Sequence, residues 1–196
     1  MIWIGLTGGI ATGKSTVSNL LREMGYPVVD ADALAHKSLE KDSECYKQVV
    51  KIFGSSILDE NLQIDRKKLG KIVFSNKVDL TKLENIIHPY VQKMALEIRR
   101  EYESTGHKLA FYDVPLLFEK ELQGNFDKTM LVYAPIDLQK ERIINRDKLT
   151  DQDVDLRIAA QIPIDDKKTM ADIIIENTGS LADLKQELNK KLKEFL

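Results

Sequence analysis

The chain has 196 residues, 43% hydrophobic and 31% charged, which is length and apolar content enough for one ordinary core without a disulfide or metal staple. Its 29 basic and 31 acidic residues leave a net charge of −2, which excludes a broadly cationic nucleic-acid surface. A single cysteine, Cys45, excludes an intrachain disulfide and a multi-cysteine zinc site, and suits a reducing cytoplasm.

Ile2 to Leu6 is a short apolar run followed by the glycine pair Gly8-Gly9, the pattern of a buried parallel strand. The run is too short for a signal peptide, and no stretch approaches the ~20 apolar residues of a membrane helix. Val17, Leu20, Leu21 and Met24 follow at helical spacing, with Gly25 placed to cap the helix. Pro27-Val28-Val29 is a second strand, closing on Asp30-Ala31-Asp32. Residues 33–107 are mostly helical by pattern and hold no clear strand. Within them Val91, Met94, Ala95, Ile98 and Tyr102 keep helical spacing, with Pro89 near the expected helix start.

Leu109 to Val114, Met130 to Tyr133 and Ile173 to Ile175 supply three more strands. Thr150 with Asp153, and Ser180 with Asp183, read as capping boxes ahead of helices. Strands alternating with helices predict an α/β fold, a doubly wound parallel five-stranded sheet. One domain over 1–196 is expected. Its nucleotide-binding core takes in about 1–32, 108–138 and 170–196, with a helical substrate-binding insert at about 33–107 and a lid at about 139–169.

Gly8-Gly9-Ile10-Ala11-Thr12-Gly13-Lys14-Ser15 fits G-x-x-x-x-G-K-[ST], and Thr16 follows. A triphosphate is a dense anion, and several backbone N–H groups must converge on it. Glycines let the loop wrap closely, and the helix N-terminus beyond favours negative charge. Lys14 can reach the β- and γ-phosphates, and the Ser15 hydroxyl can ligate Mg²⁺. The strand before the loop and the helix after it supply the context such a motif needs. It specifies a nucleoside triphosphate site. It does not choose between a kinase, a GTPase and an ATP-driven switch.

Asn76-Lys77-Val78-Asp79 fits the guanine-reading N-K-x-D, but no Asp has Gly three residues later, as a GTPase needs; the segment reads as a polar turn. A kinase needs a group to orient or deprotonate the acceptor, and cations for the phosphoryl in transfer. Asp30 and Asp32 stand at a strand's C-terminal end, where ligands bind in such sheets. In an extended chain the two would point the same way. Catalysis and helix capping are both open to them. Asp113, ending another strand, can orient the acceptor or hold Mg²⁺ through water. Arg142 and Arg146 lie one helical turn apart, as lid cations or as a solvated face paired with Asp147. Asn177 follows the last strand and can contact adenine or begin a turn.

The ordered blocks resemble the dephospho-coenzyme A kinase family over nearly the whole chain. They are Leu6-Thr7-Gly8-Gly9-Ile10 into Gly13-Lys14-Ser15-Thr16, Val29-Asp30-Ala31-Asp32, Asp65-Arg66, His88-Pro89, Asp113-Val114-Pro115-Leu116-Leu117-Phe118-Glu119, Arg142 with Arg146-Asp147, and Arg157-Ile158-Ala159-Ala160-Gln161. The resemblance implies a P-loop kinase that moves the γ-phosphoryl of Mg-ATP to the ribose 3′-hydroxyl of dephospho-coenzyme A, giving coenzyme A and ADP. It implies Asp32 as base and Lys14 and Arg142 as catalytic cations. It places ATP at Gly9, Ala11, Thr12, Gly13, Lys14, Ser15, Thr16, Arg142, Arg146 and Asn177, and the acceptor at Asp30, Asp32, His88, Asp113 and Leu116. Its partners are ATP and dephospho-coenzyme A, with no nucleic acid or membrane, and the chain is taken as a cytoplasmic monomer. The alternatives are another P-loop small-molecule kinase, such as a nucleoside monophosphate or shikimate kinase, and a non-catalytic nucleotide switch.

Two positions depart from the family pattern. Ala11-Thr12 replaces the usual small pair, and alanine disfavours the positive φ such a loop asks for. Glu60-Asn61 replaces Asp-Gly, with Asn61 expected to take the same left-handed turn.

Overall fold

The structure, a computed structural model, describes residues 1–195. Five strands form one sheet in the order β2-β3-β1-β4-β5: β1 (Ile2–Gly8), β2 (Val28–Asp30), β3 (Leu109–Asp113), β4 (Lys128–Tyr133) and β5 (Ile173–Glu176). β1 runs parallel to β3 and β4, and β4 parallel to β5. Every predicted strand is present. The register sets Leu6 of β1 beside Asp113 of β3 and Met130 of β4. The central strand therefore delivers the glycine loop to the sheet's C-terminal edge, next to Asp113.

Branched and aromatic residues fill both faces of the sheet, which is why its strands lack polar alternation. Ile4, Phe111, Met130 and Ile175 are buried against Val17, Leu20 and Leu21 of α1 (Lys14–Glu23) and Leu184, Leu188 and Leu192 of α9 (Leu181–Leu192). Gly25 ends α1 as predicted: its φ of 85° allows its N–H to return to Arg22 O and that of Tyr26 to Leu21 O. Ser180 and Asp183 close a reciprocal capping box on α9, while Thr150 caps α7 (Asp151–Ala159) through Asp153 N–H. α6 (Ile136–Asp147) and α8 (Ile164–Met170) lie in the chain on either side of α7.

The chain divides into two compact units, Met1–Val29 with Tyr102–Leu196, and Asp30–Glu101. The second unit holds α2 (Ala31–Ser38), α3 (Glu44–Phe53), α4 (Arg66–Ser75) and most of α5 (Lys77–Ser104). Its own core gathers Cys45, Val49, Ile57, Leu69, Val73 and Ile86. Burial pushes the Cys45 thiol above its ordinary range, which suits a packing residue rather than a nucleophile. Among the described residues no helix is long and apolar enough to cross a membrane.

Three local expectations are corrected. Pro89 lies inside α5, not at its start. Proline removes one backbone donor and crowds the carbonyl of Asn85, yet flanking turns of a 28-residue helix carry it through. The left-handed residue near 60 is Leu62, with φ of 60°, not Asn61. Asp59 Oδ1 accepts the N–H groups of Asn61 and Gln63, so the aspartate organises the turn and strains Leu62. Asn76 and Asp79 form a helix start rather than a free turn: Asn76 Oδ1 accepts Val78 N–H and its amide donates to Asp79.

Candidate active site

The glycine loop closes on itself before it meets any ligand. Thr12 is fully buried, and both its N–H and its hydroxyl donate to Gly9 O, at 3.3 and 2.9 Å. A Cβ on Gly8 would stand 2.6 Å from Thr12 Oγ1, so the first glycine is a packing requirement. Gly13 caps α1 with φ of 93°, and a Cβ there would stand 2.1 Å from Asn177 Nδ2. The substituted pair thus divides its roles, Thr12 tying the loop and Ala11 absorbing its strain at φ of 57°.

A left-handed alanine costs about 1–2 kcal/mol, partly offset in the unfolded chain, where glycine has more freedom to lose. Ala11→Gly should therefore raise stability by about 0.5–1 kcal/mol, read as the urea midpoint at unchanged slope.

A cavity of about 430 Å³ opens over the loop, lined by its backbone together with Lys14, Ser15, Thr16, Pro115, Arg142, Arg146 and Gln161. A smaller cavity of about 290 Å³ adjoins Ala11, Gly13 and Thr16 and is walled by Arg142, Asn177, Leu181 and Leu184. The first presents amides, hydroxyls and three cations, the equipment for a polyphosphate. The second adds apolar walls suited to a base.

The Arg142 guanidinium is anchored by backbone carbonyls. It donates to Asn177 O at 2.9 Å and, at longer range, to Ala11 O and Thr12 O. Asn177 is buried, and its side chain donates to Thr12 O at 2.8 Å. Both residues brace the loop while lining the smaller cavity, and Arg142 lines the larger one as well. Arg146 lines the larger cavity and also pairs with Asp147, which Arg157 meets from α7. The Arg146 guanidinium, with Arg157 beyond it, holds the Asp147 carboxyl below its ordinary range. The salt bridge to Asp147 thus leaves Arg146 among the residues that line the cavity.

Asp113 is buried and takes the Lys14 ammonium on one oxygen and the Ser18 hydroxyl, at 2.6 Å, on the other. Ser18, one turn after Lys14 on α1, escaped the sequence reading; only its i+4 spacing hinted at a role. Pro115 and Gln161 belong to the family-like blocks, and their place in the cavity lining comes from the fold.

Asp30 and Asp32 part company, contrary to the extended-chain expectation. Asp30 ends β2 and caps α2, its Oδ1 accepting Asp32 N–H at 2.9 Å and Ala33 N–H at 3.1 Å. Asp32 lies in the first helical turn, exposed, and its carboxylate takes no hydrogen bond among the described residues. With its carbonyl turned into the helix, the backbone rotates about 100° per residue, so same-side alternation ends at Asp30. Asp30, Asp32 and the exposed His88 stand in the helical unit, and Asp113 and Leu116 in the sheet unit.

Residues 2–183 match the family model for dephospho-CoA kinase. A dephospho-CoA kinase of Bacillus licheniformis is 42% identical over 189 residues, 96% of this chain and 94% of its own length. Among solved structures, a Thermus thermophilus protein, TT1252, is 38% identical with a TM-score of 0.83, covering 100% of this chain and 98% of that one. A dephospho-CoA kinase from Campylobacter jejuni is 34% identical with a TM-score of 0.74, covering 98% and 96%.

Proposed function

The chain belongs to the dephospho-CoA kinase family, enzymes of the last step of coenzyme A synthesis, and from that premise we propose how its residues divide the reaction. The substrates are ATP and dephospho-coenzyme A. The ATP triphosphate lies on the loop from Gly9 to Thr16, with Arg142 and Arg146 over it and Asn177 toward the base. The bond from the γ-phosphorus to the β,γ-bridging oxygen breaks as one forms to the ribose 3′-oxygen. ADP leaves, and the hydroxyl proton passes to Asp32. Lys14 and Arg142 offset charge on the transferring group and the leaving oxygen. Acceptor binding is assigned to Asp30, Asp32, His88, Asp113 and Leu116, and the role of a lid to residues 139–169.

Mg²⁺ fits the donors present. Among the described residues no cluster of three His, Cys, Asp or Glu forms a metal cage. Mg²⁺ characteristically takes few protein oxygens and relies on substrate phosphates and water. Ser15 would ligate it directly and Asp113 through water, and the ion would supply charge neutralisation for the phosphate chain.

The observation that carries the assignment of the base is the division between the aspartates: Asp30 is committed to its cap, while the Asp32 carboxylate is uncommitted. The reaction itself is tested by coupled ADP release with Mg-ATP and dephospho-coenzyme A, adenosine, AMP, shikimate or no acceptor. ADP release that requires dephospho-coenzyme A, with a 3′-phosphate on the product, is expected. Turnover on another acceptor would overturn the substrate. Nucleotide binding without turnover on any would leave a switch.

A further inference from the structure

Gln161 is a polar side chain of the larger cavity that belongs neither to the loop and α1 nor to the arginines of α6. It stands in the joint between α7 and α8, and that joint is firmly seated. Ile162 N–H donates to Glu119 Oε1 at 3.2 Å, and the same carboxylate meets the fully buried Lys167 ammonium at 2.6 Å. Ile164 is buried, its Cδ1 3.3 Å from where a Cβ on Gly9 would be. The joint thus rests directly on the glycine loop.

The Gln161 amide has one orientation in this setting. Ile10 N–H, within the loop, donates to it at 2.9 Å, and only the amide oxygen can accept. The Nε2 end is left with two donor hydrogens and no hydrogen-bond partner among the described residues. A glutamine held by its oxygen, with its donors uncommitted at the edge of a cavity lined by Lys14, Arg142 and Arg146, is equipped to bind an anionic oxygen.

The two cavities indicate which oxygen. They share Ala11, Gly13, Thr16 and Arg142, where the chain of phosphates must pass. The base end belongs with Asn177 and Leu181, in the smaller cavity. Ile10, Pro115 and Gln161, like Lys14, Ser15 and Arg146, line only the larger one, which assigns them to the phosphates farther from the base.

We propose that Gln161 is a γ-phosphate-binding residue, its amide oriented by Ile10 N–H so that Nε2 donates to the terminal phosphoryl group and sets ATP apart from ADP. This rests on the cavity being the ATP site. It gives the α7–α8 joint a part in nucleotide recognition, because the residue that reads the terminal phosphate also pins the loop.

Calorimetric titration with Mg-ATP and with Mg-ADP, without acceptor, tests it. Gln161→Glu keeps an oxygen for Ile10 but sets an anionic oxygen where the donor was. Gln161→Ala removes both ends. For Gln161→Glu, Kd for Mg-ATP should rise about ten- to hundredfold, as for a lost charge-assisted hydrogen bond, while Kd for Mg-ADP stays within about twofold. Gln161→Ala should show the same split with a smaller rise for ATP. Equal weakening of both nucleotides would make Gln161 a brace for the loop alone and overturn the proposal, as would no change in either. Failure of the unaltered chain to bind either nucleotide would instead remove the ATP site, and the proposal with it.

Discussion

Replacing Lys14 by alanine should lower kcat/KM for Mg-ATP by about 10²–10³-fold, with turnover and triphosphate affinity falling together. Lys14 is the first residue of α1, where the helix N-terminus already favours negative charge. Its ammonium adds a mobile full charge to fixed partial charges from loop amides. Steady-state kinetics with varied ATP measure the effect, and unchanged kinetics would undo the phosphate-loop reading. The lysine pairs with Asp113, whose side chain is 8% exposed against 17% for the lysine. Removing it leaves that carboxylate with Ser18 alone. Breaking a buried pair from one side costs about 3–5 kcal/mol, and the residual exposure of Lys14 places this pair at the low end. The double variant Lys14→Ala/Asp113→Asn removes the stranded charge. It should recover most of the lost stability in urea and none of the lost turnover, because neutralising Asp113 restores no cation to the phosphates.

The same pair marks the limit of what the residues alone could tell. The strands were legible because sheet burial on both faces writes itself as short branched runs. The loop was legible because its glycines answer to geometry that no other residue meets cheaply. Gly13, at φ of 93° and 2.1 Å from Asn177 by its absent Cβ, is a case where the motif's letter has a measurable cause. Pairings across 95 to 165 residues were not legible. Ser18 on Asp113, Asn177 on Thr12 and Gln161 on Ile10 are fixed by the sheet register and by how helices settle on it. A periodicity argument carries no such information. Pro89 misled for a related reason. Its cost is local and readable, but the packing of α5 that overrides it is not, and most helix stability comes from such packing.

Asp32→Asn should lower kcat by about 10²–10⁴-fold, the usual contribution of a positioned acid–base group, with the Kd for Mg-ATP unchanged. The asparagine keeps size and a carbonyl oxygen, so it can still accept a hydrogen bond from the 3′-hydroxyl. It cannot take the proton. Asp32 lies in the first turn of α2, where a negative charge also favours the helix. Losing that charge costs a few tenths of a kcal/mol, too little to mimic the kinetic loss. Asp30 makes the informative control two residues away. Its oxygen caps α2, and asparagine caps about as well as aspartate. Asp30→Asn should therefore keep most of the turnover and nearly all of the stability. Asp30→Ala should cost about 1 kcal/mol by loss of the cap, visible in the urea midpoint. Dephospho-coenzyme A turnover, calorimetric ATP binding and urea unfolding of all three variants separate base from cap. If Asp30→Asn loses the turnover and Asp32→Asn keeps it, the carboxylate that caps the helix is also the base, and the division of labour drawn from the α2 geometry is wrong.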